Sequence, residues 1–496
     1  MATQERTCET VAGLRRFLGS ACLTGLCLLS FGASGAPAWT PERLAELDRL
    51  IAASHEDGLE PGDYATVSRA PQAALELLYC HLRFGKVDLA LGEARWNCRG
   101  LAVDGERLPA KVARAVDEGR IEALLTAARP THWMYAHGRD WLARHRDWQA
   151  EGPWPVVGAG ITLEPGAVDE RVPILRERLR RSGDLARDIL DAGNFYGPAL
   201  VSAVRRFQAR HRLEVDGRVG RATLAELNVS LPARIRQLRI NLDRARNLLH
   251  EIRDEDVVVV DIAGFELRYL RDRERILTSR VQVGRTYRQT PEFISRITEI
   301  ILNPSWTVPP TILAEDILPQ LRRDPTHLQS LGLEVLDLQG RPVDQAAIDW
   351  SRYRGDQVPY VLRQPPGPGN ALGRIKFVFP NPYLVFLHQT PATALFERDR
   401  RTFSSGCIRV EWPFELAARL LGDPGQDAAS LLALAEASEG TQSIRLKRPV
   451  RLILAYWTVD EDPGGVLVFK PDVYGRDEGV WRALSAPPPG KTSGVQ

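Results

Sequence analysis

The sequence predicts a multidomain α+β chain: a helical N-terminal scaffold, a small helical domain, and a mainly-β domain carrying an inserted helical cap. Three observations predict it. At 496 residues the chain is too long for one hydrophobic core and divides into about three domains of roughly 150 residues. Apolar spacing is helical over residues 40–150 and again at Leu200–Phe207 and Thr223–Leu227 within a compact module at 172–228, then turns to β-branched, alternating runs from Val257. A Pro/Gly-rich stretch at 151–166, EGPWPVVGAGITLEPG, separates the first two parts as a linker.

Residues 1–38 read as an export segment. Arg15 and Arg16 precede an uncharged stretch at 17–36, and Ala36-Pro37-Ala38 offers a small-residue cleavage site before Trp39. The Gly, Ser and Cys content of the stretch favours a cleaved secretory signal. An uncleaved inner-membrane anchor is the alternative, because the span is nearly long enough to cross a bilayer. Either way the remainder is expected outside the cytoplasm, in the periplasm, with the membrane touched only through that segment. Lys plus Arg number 65 against 63 Asp plus Glu, a net charge of +2. Nucleic acid is therefore not an expected partner, since phosphate binding needs a basic excess gathered on one face.

Of the six cysteines, Cys8, Cys22 and Cys27 belong to the export segment. In an oxidising compartment Cys80 and Cys98 can pair, which leaves Cys407 as the odd thiol. In the scaffold, 39–150, Leu44, Leu47 and Ile51 recur at helical spacing, and so do Leu75 and Leu78. His132, His137 and His145 lack metal-ligand spacing and read as packing or surface residues. No metal and no cofactor is expected.

The second domain, 165–230, has Leu200, Val204 and Phe207 on one helical face. An Asp216-Gly217 turn follows, then a short helix around Thr223, Leu224 and Leu227. The run AVRRFQARHRLEVDGRVGRATLAELN resembles the type 1 peptidoglycan-binding domain, departing from it at Arg212, where that family often has Gly. These are core and turn positions, so a spacer without a ligand stays open as a reading.

In the third domain, 255–480, strands are predicted in VVVVDIAGFELRYL, ERILTSRVQVG and ISRITEIILNPSW, with an antiparallel start. Further strands are predicted at 375–380, at 383–390, in PVRLILAYWTVD and in GVLVFKPDVYG. Asn381-Pro382 joins the 375–380 and 383–390 strands. The segment at about 310–373 is far longer than an ordinary loop and is expected to form a cap. Residues 486–496 are expected to be a disordered tail.

The chemistry lies in LHQTPATALFERDRRTFSSGCIRV. His388 ends a hydrophobic strand, and 19 residues later Cys407 follows Ser-Ser-Gly. A neighbouring imidazole can lower a thiol's pKa and carry its proton. Gly406 lets backbone approach a substrate closely, and backbone N–H groups around Ser405, Gly406 and Cys407 are candidate oxyanion donors. Beyond residue 256 only His327 and His388 are histidines, so the choice of base is narrow. A Cys/His pair alone is a weak signal.

This pattern of His388, Gln389 and Thr390 followed by Ser404-Ser405-Gly406-Cys407-Ile408-Arg409 resembles the L,D-transpeptidase (YkuD) family. Many members have His at the position of Ser405, and this departure is similar to the larger YcbB-type subclass. NPSWTVPPTI, the cap after it, the helical scaffold and the inserted wall-binding module resemble that subclass in the same order. The resemblance implies that Cys407 is the nucleophile and His388 the base, with the backbone carbonyl of Gln389 holding the His tautomer. It implies attack on the third residue of a peptidoglycan stem tetrapeptide and loss of D-Ala. An amine from a second stem then resolves the thioester into a 3→3 cross-link. Carbapenem-type β-lactams are expected to acylate Cys407. Arg409 and Arg401 are candidates for orienting substrate carboxylates, with structural pairing as the alternative. Ser404 and Thr390 are candidate substrate contacts, Ser404 being equally a plain turn residue. Trp306 and Tyr353 either line the cleft or pack the cap. Two other functions stay open: an L,D-carboxypeptidase, with water as acceptor, and a non-catalytic wall binder. A zinc site at Cys407 is disfavoured, because no CxxC accompanies it.

Overall fold

The computed structural model describes residues 38–489, apart from 66–68, 99, 190–192, 253–255 and 355–356. The expected export segment, Ala38 excepted, and residues 490–496 of the expected tail lie outside the described residues.

Five helices build the scaffold: α1 Pro41–Ala53, α2 Pro71–Phe84, α3 Leu108–Asp117, α4 Ile121–Ala128 and α5 Trp133–Ala150. Helix α1 starts where Thr40 accepts a hydrogen bond from the Arg43 N–H and Pro41 occupies the first turn. Leu47, Ile51, Leu75, Leu78 and Leu82 are buried in one cluster. Each such side chain contributes about 1.5–3 kcal/mol over leaving it in water. Cys80 on α2 and Cys98 form a disulfide with their Cα atoms 6.2 Å apart.

The second domain holds α6 Val172–Arg181, α7 Pro198–Arg210 and α8 Arg221–Leu227, closing on Leu200, Val204, Phe207 and Leu227. Helix α6 had no predicted counterpart. Its Arg-rich sequence hides an apolar stripe of only Val172, Leu175 and Leu179. At the predicted turn Gly217 has φ +78°, and a Cβ there would press on Val201 at 2.9 Å.

Helix α9, Leu231–Leu248, also went unpredicted, because charged residues form much of its buried face. Asp243 accepts from the backbone N–H groups of Lys86 and Val87 at 2.7 and 3.0 Å. Arg246 donates to the Asp57 carbonyl at 2.6 Å, and Asn241 accepts from Thr458 N–H at 2.9 Å. The helix thus ties the scaffold to the β-domain through buried polar contacts, whose loss would leave buried charge unpaired.

The third domain is a mixed sheet of nine strands. In chain order these are β1 Val257–Asp261, β2 Glu266–Arg271, β3 Glu274–Gly284, β4 Phe293–Leu302 and β5 Ile375–Val378. They continue as β6 Leu387–His388, β7 Thr402–Ser404, β8 Ile408–Val410 and β9 Gln442–Ala455. The spatial order is β7-β3-β8-β6-β5-β4-β9-β1-β2, and β2 pairs back onto β3 to close the ring. The antiparallel start holds for β1 to β3, but β6–β8, β7–β3 and β9–β1 are parallel. Strand β1 is buried on both faces, which explains its unbroken run of valines. Val258 and Val260 join the domain's main core, while Val257 and Val259 meet α5 and α9 through Tyr135, Leu238 and Leu242.

Three expectations need correction, two of strands and one of the tail. The strand expected over 383–390 is reduced to β6, because Asn381 caps a turn that leaves Tyr383 and Leu384 exposed, with Leu384 at φ +55°. Strand Leu467–Phe469 pairs with Val459–Glu461 in a separate hairpin outside the sheet. The tail begins ordered, since Lys86 Nζ donates to the Ala486 carbonyl at 3.0 Å.

The chain leaves the sheet at Asn303 (φ +51°) and re-enters after Gly373 (φ +64°). Between them lies the cap, which is not purely helical. Trp306–Thr307, Glu334–Leu336 and Val361–Gln364 form a three-stranded sheet beside short helical turns. The cap has its own core, centred on Leu313, Leu328 and Trp350.

Candidate active site

One transverse row of the sheet carries the polar site. Ile301 on β4, Lys376 on β5, His388 on β6, Arg409 on β8 and Gln282 on β3 are successive register partners across five strands. Direct partners point to the same face. Their neighbours Ile300, Phe377, Leu387 and Ile408 point the other way, into the core. Cys407 immediately precedes β8, two residues before Arg409, and the thiol is free.

His388 is only 4% exposed. Its Nδ1 lies 2.5 Å from the Gln389 carbonyl oxygen. A carbonyl only accepts, so the Gln389 contact calls for the proton on Nδ1, and the Leu372 backbone is a second partner of the ring. Gln389 is itself held: its Oε1 accepts from Arg374 N–H at 2.7 Å, and its side chain packs where a Cβ on Gly373 would stand. Burial first, and the Arg409 charge second, bring the imidazole pKa down to about 3. Burial pushes the Cys407 thiol up, and Phe386 backbone, Arg409 and Lys376 partly offset this. At rest the pair is therefore a neutral thiol beside a neutral imidazole.

Two cations face this pair without a carboxylate of their own. Arg409 donates to Gln282 Oε1 at 3.2 Å, while its buried Nε has no protein acceptor. Lys376 places Nζ 4.5 Å from the centre of the Phe386 ring. Among the described residues neither forms a close ion pair with Asp or Glu. Burial lowers both of their pKa values, and each is drawn electrostatically to Cys407. An anion formed here, whether thiolate or substrate carboxylate, meets positive charge that no close ion pair neutralises.

The loop before Cys407 is braced. Gly406 adopts φ +113°, which side-chain-bearing residues rarely do. Ser404 Oγ donates to the Cys407 carbonyl at 2.5 Å and accepts from Gly406 N–H at 3.1 Å. Thr290 Oγ1 donates to the Gly406 carbonyl at 2.9 Å. The Gly406 N–H is thus spent inside the loop, which removes it from the expected oxyanion donors. The N–H groups of Ser405 and Cys407 make no hydrogen bond among the described residues. Ser405 Oγ accepts from Arg288 at 3.1 Å, and the same guanidinium pairs with Glu315 at 2.6 Å and Asp316 at 2.5 Å. One arginine therefore joins the cysteine loop to the cap.

The other candidates fall elsewhere. Arg401 takes the structural alternative: its three nitrogens donate to the carbonyls of Val281, Arg398 and Phe265, so its fork is a structural staple. Trp306 and Tyr353 pack against the cap's apolar core. Thr390 is buried and its Oγ1 accepts from Ala392 N–H at 3.2 Å. His327 lies in the cap, opening the helix His327–Ser330. Lys376, Gln282, Arg288 and Thr290 were missed. A lone Lys alternating with apolar residues in IKFV was the available signal for Lys376.

Residues 255–444 match the family described as "L,D-transpeptidase catalytic domain" (YkuD). Residues 168–227 match "Putative peptidoglycan binding domain", and residues 33–142 match "Scaffold domain". A Haemophilus influenzae protein named "Putative L,D-transpeptidase" is 37% identical over 224 residues, which span 45% of this chain and 45% of that protein. Two solved structures are also similar, an L,D-transpeptidase from Xylanimonas cellulosilytica and one from Stackebrandtia nassauensis. The first is 16% identical with a TM-score of 0.18, covering 60% of this chain and 98% of that one. The second is 14% identical with a TM-score of 0.21, covering 60% and 96%. At those scores the two structures add nothing to the assignment. With the sequence matches over all three parts, this chain carries a YkuD-family L,D-transpeptidase catalytic domain together with a peptidoglycan-binding domain and an N-terminal scaffold domain.

Proposed function

We propose that the chain is an exported, periplasmic L,D-transpeptidase that forms 3→3 peptidoglycan cross-links through a Cys407 thioester. The observation that carries this reading is the row of Lys376, His388 and Arg409 beside a free, half-buried thiol, with the neutral imidazole as the proton acceptor. His388 Nε2 takes the thiol proton as sulfur attacks the carbonyl of the third stem residue. Collapse of the tetrahedral oxyanion breaks the amide bond, and His388 returns the proton to the departing D-Ala amine. A side-chain amine of a second stem then attacks the thioester and gives its proton to His388. The new amide forms and the thiolate leaves, recovering that proton. The cations Arg409 and Lys376 stabilise the thiolate, and Arg409 takes the donor's terminal carboxylate. Ser405 and Cys407 N–H groups receive the oxyanion. The cap, tethered through Arg288, limits water and so favours the amine as acceptor. Carbapenem-type β-lactams acylate the same sulfur.

The test is product analysis by mass spectrometry after incubation with disaccharide-tetrapeptide. Cross-linked dimer and free D-Ala are expected, and both vanish in Cys407→Ala. Tripeptide without dimer would make the enzyme a carboxypeptidase. Absence of any turnover, with wall material still bound, would make it a binder.

A further inference from the structure

A second cavity, of about 650 Å³, opens where the scaffold, the three-helix domain and the β-domain meet. Its volume falls in the roughly 300–1,000 Å³ range of small-ligand sites, and domain junctions are where such sites concentrate. None of its lining residues belongs to the Cys407 site.

Its lining is unusual in two ways. Three indoles face it: Trp141 and Trp148, seven residues apart on one side of α5, and Trp154 beyond the helix end. Trp148 and Trp154 have ring centres 5.9 Å apart, and Arg178 covers one face of Trp154 at 3.8 Å. The buried indole N–H of Trp154 has no protein acceptor.

The second feature is charge. The carboxylates around the cavity are already engaged. Asp184 is paired with Arg210 at 2.6 Å, Glu461 with His137 at 2.6 Å and Glu266 with Arg268 at 2.5 Å. Asp462 accepts from the N–H groups of Gly464 and Val466 in its own turn, at 2.8 and 2.9 Å. Half-buried Arg275 lines the same cavity, and its side chain makes no hydrogen bond or close ion pair among the described residues. The cavity therefore offers flat aromatic faces, a spare N–H donor and a spare guanidinium.

We propose that this cleft binds the glycan of peptidoglycan, stacking amino-sugar rings on Trp148 and Trp141 and receiving a sugar-acid carboxylate on Arg275. The proposal rests on the transpeptidase reading only for the identity of the glycan. Pyranose rings present apolar C–H faces that suit indoles, and a planar guanidinium fork suits a carboxylate. Such a site would hold the glycan backbone while stems reach the thiol.

The test uses the full exported chain bearing Cys407→Ala, so that binding is measured without turnover. Calorimetric titration compares two probes: N-acetylglucosaminyl–N-acetylmuramic acid oligomers stripped of stem peptide, with free lactyl carboxylates, and neutral N-acetylglucosamine oligomers. The acidic oligomer is expected to bind at least about fivefold more tightly. Trp148→Ala weakens both probes by about tenfold, while Trp148→Phe retains most of the affinity. Arg275→Met erases the acidic preference and leaves the neutral probe unchanged. No binding of either probe, or binding unmoved by both Trp148→Ala and Arg275→Met, overturns the proposal. Failure of the transpeptidase reading shows instead as missing dimer with the active chain, while glycan binding persists.

Discussion

Lys376 stands directly across from His388 in the antiparallel pair of β5 and β6, so a lysine shares the sheet face of the base and flanks the nucleophile. Removing that charge is expected to raise the Cys407 thiol pKa further. One unit of pKa corresponds to a tenfold smaller thiolate fraction below the pKa. Lys376→Met should therefore slow iodoacetamide alkylation of Cys407 at pH 8 by about five- to tenfold, and Lys376→Arg should largely restore it. Alkylation profiles against pH for the three proteins check this.

The pH dependence follows from burial. His388 titrates at about 3 instead of the usual 6.5, and the buried scaffold residue His81 does the same. An unfolded chain binds these protons between 6.5 and 3 while the folded chain does not. Stability contributed by each residue is thus full above 6.5 and is lost as pH falls toward 3. Each contributes a slope of up to about 1.4 kcal/mol per pH unit in that window. Urea midpoints from pH 7 to pH 4 should fall accordingly, and His388→Gln should flatten the slope by one proton's share. The same shift removes any imidazole limb near 6.5 from the kcat/KM profile, which should keep rising toward the alkaline thiol.

Much of this architecture was legible in the sequence, for a physical reason. Apolar periodicity marked the scaffold helices, α7 and the long strands, because their burial is made of Leu, Val and Phe. It failed at α9 and α6, where buried Arg residues, joined in α9 by Asn241 and Asp243, interrupt the apolar stripe. It overran at 383–390, where Asn381 side-chain bonds hold a turn under an apolar string. In the site, Cys407, His388 and Arg409 were candidates in the sequence through the resemblance of the motif that holds them. Lys376, Gln282 and Arg288 come together only through strand register and cap docking, which one-dimensional spacing does not contain. Arg401 illustrates the converse, since its carbonyl partners at Val281 and Phe265 are over a hundred residues away.

Arg288 couples Ser405 to Glu315 and Asp316 of the cap. Arg288→Ala should loosen the cap and admit water to the thioester. The expected result is a several-fold rise in tripeptide relative to cross-linked dimer, read by chromatography of the products, with the fold intact by circular dichroism. Cap closure through one partly exposed ion cluster also predicts that high salt shifts the ratio the same way.

The Cys80–Cys98 bridge closes a loop of 18 residues. On chain-entropy grounds, closure of such a loop contributes about 3 kcal/mol. Cys80→Ala/Cys98→Ala should lower the melting temperature by several degrees, measured by differential scanning fluorimetry. Reductant should reproduce the loss in the parent and do nothing to the variant.

The central claim is that Cys407 carries the acyl group, and intact-protein mass spectrometry with peptide mapping tests it most directly. A rapidly quenched reaction with disaccharide-tetrapeptide should show a thioester adduct of the disaccharide-tripeptide on the Cys407 peptide. It should be absent from Cys407→Ala and strongly diminished in His388→Ala. D-Ala release that continues in Cys407→Ala, or an adduct mapped to another residue, would contradict the account.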